Sequence, residues 1–115
     1  MRGILINPYD RTIKMTLVKK KDIDSIYEAM SWPTHEVRMI EVGMIFPNND
    51  NLVVDEEGLL TGGHKVWKLN GTPFVGCGLL LGIDPREADW THVKTSIADI
   101  NMYVRWTDLV SKGMI

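Results

Sequence analysis

The sequence predicts an α+β domain, a mostly antiparallel β-sheet with one or two short helices packed on it. Three observations carry this expectation. Most apolar runs are short, β-branched or alternating, and are closed by turn residues. Only two stretches show helical character. A chain of 115 residues, 44% hydrophobic and 24% charged, holds enough apolar surface for one modest core and not for two. The expected organisation is one compact domain over residues 1–106, followed by a tail over 107–115.

The first β-rich run, Gly3-Ile4-Leu5-Ile6-Asn7, is closed by Pro8-Tyr9-Asp10-Arg11, where a fixed φ and side-chain bonding to the backbone suit a turn. The return run over 12–18 sets Ile13, Met15 and Leu17 against Thr12, Lys14 and Thr16, the alternation of a strand with one face on the core. Lys19-Lys20-Lys21 leads to Asp22, an N-cap for a helix with Ile23, Ile26, Tyr27 and Met30 at helical spacing, ended by Trp32-Pro33. Residues 37–42, 44–46 and 52–54 read as strands, with a dense turn at 47–51. Asp55-Glu56-Glu57-Gly58 predicts a tight hairpin returning through Leu59-Leu60, and Gly62-Gly63 breaks the chain. Residues 65–69 alternate as a strand and Asn70-Gly71 is a strong turn signal. Residues 75–83 read as a single buried strand whose glycines admit a bulge or a second backbone. A loop over 84–90, a short helix capped by Thr95 or Ser96 and running to Met102, and a strand over 103–106 complete the prediction.

Charge and cysteine content exclude several functions. A formal net charge of −2 and a pI near 5.9 give no broad positive field, so direct binding of duplex nucleic acid is not expected. The lone Cys77 cannot close an intrachain disulfide, which favours a reducing compartment. The N-terminal apolar run is cut at Asn7-Pro8, too early for an export signal, and the run over 75–83 falls far short of the roughly 20 residues that span a bilayer. A cytoplasmic protein without membrane attachment is the expectation.

Motifs for catalysis are weak. The glycines of Gly76-Cys77-Gly78-Leu79-Leu80-Leu81-Gly82 miss the dinucleotide-binding spacing by one place and precede no amphipathic helix. Cys77, His35, His64 and His92 have no paired ligand spacing, so a buried thiol and solvated histidines are expected, with no metal. Asp50, Asp55, Glu56 and Glu57 lack the spacing of a calcium loop and read as a solvated hairpin. No catalytic residue and no cofactor are predicted, and a noncatalytic protein is the expectation. Four tryptophans are many for this length, and Trp67 lies between Lys65 and Lys68 while Arg105 precedes Trp106. Aromatic faces beside cations suit a nucleobase and a phosphate; tryptophan serves equally in cores and oligomer interfaces.

Taken in order, Gly3 to Ile13, Ile26-Tyr27, Leu52 to Leu60, Gly76 to Gly82 and Val104-Arg105-Trp106 resemble a family of small phage and mobile-element domains of unknown function, over about residues 1–106. No catalytic residues attach to that family. The resemblance implies a phage accessory protein in the host bacterial cytoplasm, of the kind that counters host defence. One function is then capture of a nucleotide immune signal, with Tyr9, Arg11, Lys65, Trp67 and Arg105 as ligand contacts: aromatics for the base and cations for phosphate. The alternative is an inhibitor that covers a host nuclease or other defence protein through the segment 41–57, which has no lysine or arginine. A small hydrolase is a second alternative. A homo-oligomer with its pocket between subunits is compatible with either binding function.

Overall fold

The computed structural model describes residues 1–30, 39–44, 50–55, 65–87 and 89–107. Their elements are β1 (Arg2–Asn7), β2 (Thr12–Leu17), α1 (Ile23–Met30), β3 (Met39–Met44), β4 (Asn51–Asp55), β5 (Val66–Leu69), β6 (Thr72–Val75), β7 (Gly78–Asp84), β8 (Asp89–Thr91), α2 (Ile97–Tyr103) and β9 (Val104–Thr107). Two sheets form among the described residues: a six-stranded one in the order β2-β1-β7-β4-β3, with β8 joined to β7, and a three-stranded one in the order β6-β5-β9. Every strand pair is antiparallel. The α+β class is thus as the sequence predicts.

Strand alternation sends the large sheet's side chains to both faces, so the one modest core expected from the length is divided into two apolar clusters. Ile4, Ile6, Leu52, Val54 and Leu80 face the small sheet and α2, where they meet Trp67, Leu69, Val104 and Ile100. Val53, Leu79 and Leu81 face the other way and pack with Ile26 and Met30 of α1. Strand β7 is central and covered on both sides, which explains its unbroken Leu79-Leu80-Leu81 run. Asp22 starts α1 by accepting from the Ser25 N–H at 3.2 Å. No helix among the described residues is long and apolar enough to cross a membrane.

Four expectations are corrected. The single strand over 75–83 is two strands, because the chain leaves the small sheet at Val75 and enters the large one at Gly78. Gly76, at φ +80°, makes the crossing, and its N–H donates to the Lys65 carbonyl at 3.0 Å. The loop over 84–90 holds β8, which folds back on Gly82, Ile83 and Asp84. Strand β2 is an edge strand and its apolar face is covered only toward Ile13; Met15 is 46% and Leu17 76% exposed.

The fourth correction concerns Asp50, expected in a solvated acidic hairpin and found fully buried. Its carboxylate accepts from the Lys94 N–H at 3.1 Å, the Thr95 N–H at 2.8 Å and the Thr95 hydroxyl at 2.5 Å. A buried carboxylate needs such donors. Thr95 is therefore engaged with Asp50, and Ser96 is the residue that caps α2, accepting from the Asp99 N–H at 3.1 Å. The Glu56-Glu57-Gly58 tip, Trp32-Pro33, His35, His64 and residues 108–115 of the predicted tail lie outside the described residues.

Candidate functional site

The site begins with the turn joining β5 to β6. Asn70 at φ +49° and Gly71 at φ +88° form a two-residue turn whose twist matches its strands, a geometry that asparagine and glycine tolerate best. The Asn70 N–H donates to the Tyr103 carbonyl at 3.0 Å, tying the turn to the end of α2. Arg105, two residues beyond that helix, folds back so that Nη1 donates to the carbonyls of Met102 at 3.3 Å and Val104 at 2.9 Å. A guanidinium at a helix C-terminus also meets the negative end of the helix dipole. Asn70, Gly71, Met102, Tyr103 and Arg105 together line a cleft of about 220 Å³. Met102 is 66% exposed and Tyr103 37%, so an apolar chain and an aromatic ring stand at a surface where neither is needed for the core.

Beside this cleft, Lys68 of β5 lies directly opposite Arg105 of β9. Their register neighbours Trp67 and Trp106 pack inward, so alternation sends both cations to the outer face of the small sheet. Like charges directly opposite in an antiparallel pair cost stability. Among the described residues, neither cation forms a salt bridge. A contrasting pair lies in the β7–β8 hairpin, where Asp84 is opposite Asp89. There a cation is at hand: Lys20 bonds Glu87 at 3.0 Å. The hydrogen bond to Glu87, then the charges of Glu87, Asp89 and Asp84, hold the Lys20 ammonium above the ordinary lysine range. The acidic pair has a cation beside it, whereas among the described residues the basic pair has no carboxylate partner.

Of the five residues predicted as ligand contacts, Arg105 lines the cleft and the others do not. Trp67 is fully buried. Its indole lies against the space left by Gly78, Nε1 donates to the Gly76 carbonyl at 2.8 Å, and Phe74 packs against it at a 34° tilt, 5.0 Å between ring centroids. That placement corrects its assignment to base stacking, because no face of the ring reaches solvent. Tyr9 is half-buried in the core on the α1 side, its hydroxyl 3.9 Å from the position a Gly76 Cβ would occupy. Lys65 meets the same glycine through its carbonyl, so Tyr9, Lys65 and Trp67 converge on the Gly76 crossing, Tyr9 and Trp67 as packing. Arg11 is exposed in the β1–β2 turn at φ +56°, where Tyr9 N–H donates to Asn7 Oδ1. The described tryptophans all contribute to cores: Trp67 and Trp106 to one, Trp90 to the other.

Asn70, Met102 and Tyr103 are the site residues that sequence reasoning misses. Asn70-Gly71 is legible as a turn, but only the tertiary bond from Asn70 to Tyr103 reveals a shared cleft. His92, solvated as predicted, accepts the Arg2 N–H at Nδ1 and so supports the start of β1. Among the described residues no group of histidine, cysteine and carboxylate side chains is arranged to hold a metal ion. The chain matches no family model, and no curated protein or solved structure is significantly similar to it.

Proposed function

We propose that this is a noncatalytic binding protein that holds a small nucleotide-type ligand at the cleft between the β5–β6 turn and the end of α2. The observation that carries the reading is the Lys68–Arg105 pair, which has no carboxylate partner among the described residues, at the border of a cleft containing an exposed tyrosine. Arginine and lysine supply charge-assisted bonds to phosphate. The Tyr103 ring offers a face for a base, and the Asn70 amide offers both a donor and an acceptor for its edge. In the setting that the family resemblance implies, such a protein sequesters a nucleotide immune signal in the host cytoplasm. The inhibitor reading draws less support, since Asp50 is withdrawn from the acidic surface it requires.

Isothermal titration of the purified protein with adenine nucleotides, cyclic nucleotides and ADP-ribose tests the proposal. Saturable heat with at least one of them is expected, reduced about tenfold or more by Arg105→Ala, the effect of losing one charge-assisted contact. No heat with any of these compounds refutes the reading.

A further inference from the structure

Resting on that reading, we infer that the site selects a ligand with a terminal phosphate, a monoester carrying two negative charges, over one whose phosphate is a diester carrying a single charge. The argument starts from the spacing of the cations. Directly opposed residues in an antiparallel pair have Cα atoms about 4.5–5.5 Å apart, and Lys68 and Arg105 are so opposed. Two cationic heads projecting from adjacent strands on one face can close on the same phosphate group from two sides.

The two cations contribute differently. Arg105 is held at Nη1 by the Met102 and Val104 carbonyls, which fixes the plane of its guanidinium before any ligand arrives. The remaining N–H groups of an arginine form a fork that satisfies two oxygens of one anion. A diester phosphate, with two non-bridging oxygens and one charge, is answered by that fork alone. A terminal phosphate has a third oxygen and a charge of about −1.5 to −2 at neutral pH. Lys68, a point charge on a flexible stem, is the group that meets this surplus. It is half-buried and has no carboxylate partner among the described residues.

Lys68 is therefore the specificity residue of the site and Arg105 its anchor. The test titrates wild type, Lys68→Gln and Lys68→Arg with adenosine 5′-monophosphate, adenosine 3′,5′-cyclic monophosphate and adenosine, after circular dichroism has shown each variant folded. Wild type should bind the monoester about tenfold or more tightly than the cyclic diester, the worth of one additional charge-assisted contact. Lys68→Gln should weaken binding of the monoester about tenfold more than binding of the cyclic diester and so remove most of that preference, and Lys68→Arg should retain it. The preference should shrink as pH falls through the second phosphate pKa near 6. Equal affinity for the two phosphates in wild type overturns the inference while leaving the binding function standing, as does an equal loss for both in Lys68→Gln. Absence of binding by all three compounds overturns the inference, and the wider titration above then decides the binding function itself.

Discussion

The packing of Trp67 against Gly78 offers a stringent test of the fold, because a methyl added at Gly78 has nowhere to go. A Cβ there would stand 2.6 Å from Trp67 Cζ2, 3.2 Å from Cη2 and 3.1 Å from Leu52 Cδ1. Ordinary carbon contacts lie at about 3.5–4.0 Å, so the indole must retreat by roughly 1 Å. It is pinned against that movement by the 2.8 Å bond from Nε1 to the Gly76 carbonyl, which a retreat of that size would break. Overpacking costs about 1–3 kcal/mol, and an unpaired buried polar group about 1–3 kcal/mol more. Replacing glycine by alanine in a strand returns roughly 0.5–1 kcal/mol. A net loss of about 3 kcal/mol is expected for Gly78→Ala. With a urea slope of roughly 1–2 kcal/mol per M, the midpoint should fall by about 1.5–3 M in equilibrium unfolding followed by circular dichroism. Trp67→Phe is itself destabilising, since it leaves the Gly76 carbonyl without the indole donor, but it deletes the atoms with which the new methyl collides. The double variant should accordingly be more stable than the sum of its parts by about 1–2 kcal/mol. Additivity within about 0.5 kcal/mol, or an unchanged midpoint for Gly78→Ala, would refute the placement of the ring.

Two further perturbations probe the polar framework. Asp50→Asn keeps the shape but puts an amide donor where an oxygen accepts, facing either Lys94 N–H or the Thr95 donors, and should cost about 1.5–3 kcal/mol in thermal or urea unfolding; a neutral result would mean the carboxylate is not needed there. Lys20 has a raised pKa in the folded state, so its pairing with Glu87 stabilises at neutral pH, below the unfolded lysine value, and this contribution is lost as pH rises through the folded value. The difference in melting temperature between wild type and Glu87→Gln should thus be small, should fade in strong salt, and should vanish in alkali.

Local chemistry made much of this fold legible. The N-cap of Asp22, the Asn70-Gly71 turn and the alternation of Val66 to Leu69 each act within a few residues, and each element lies where those signals put it. What sequence could not show is the pairing of distant segments. The 75–83 run gives no local sign that it changes sheets; that depends on Trp67 reaching over Gly78, a contact between two chain segments. Strand β8 is only three residues long and owes its existence to β7 alongside it. Asp50 looked like one of several hairpin acids because its donors, Lys94 and Thr95, lie more than forty residues away. The same limit applies to the site: cations beside aromatics are legible in the sequence, but which of them face outward is not, since alternation turns Trp67 inward and Lys68 outward. The residue directly opposite Arg105 is Lys68, the half-buried neighbour of that tryptophan.

The buried Asp50 and the cleft are connected through α2. A helix of seven residues is too short to persist on its own, so its position depends on what holds its two ends. At the N-terminal end, Asp50 fixes Lys94 and Thr95, and Ser96 caps the first turn. At the C-terminal end, Arg105 bonds the Met102 carbonyl and the Asn70 N–H bonds that of Tyr103. Ile100, fully buried between them, seats the helix on the core shared by the two sheets. Tyr103 and Arg105 therefore hold their relative places because a carboxylate just before β4 anchors the segment that leads into them. Weakening that anchor by Asp50→Asn should lower ligand affinity as well as stability, although Asp50 is not among the residues lining the cleft. A variant that loses stability but binds with unchanged affinity would show instead that the β5–β6 turn and β9 position the cleft without help from the helix.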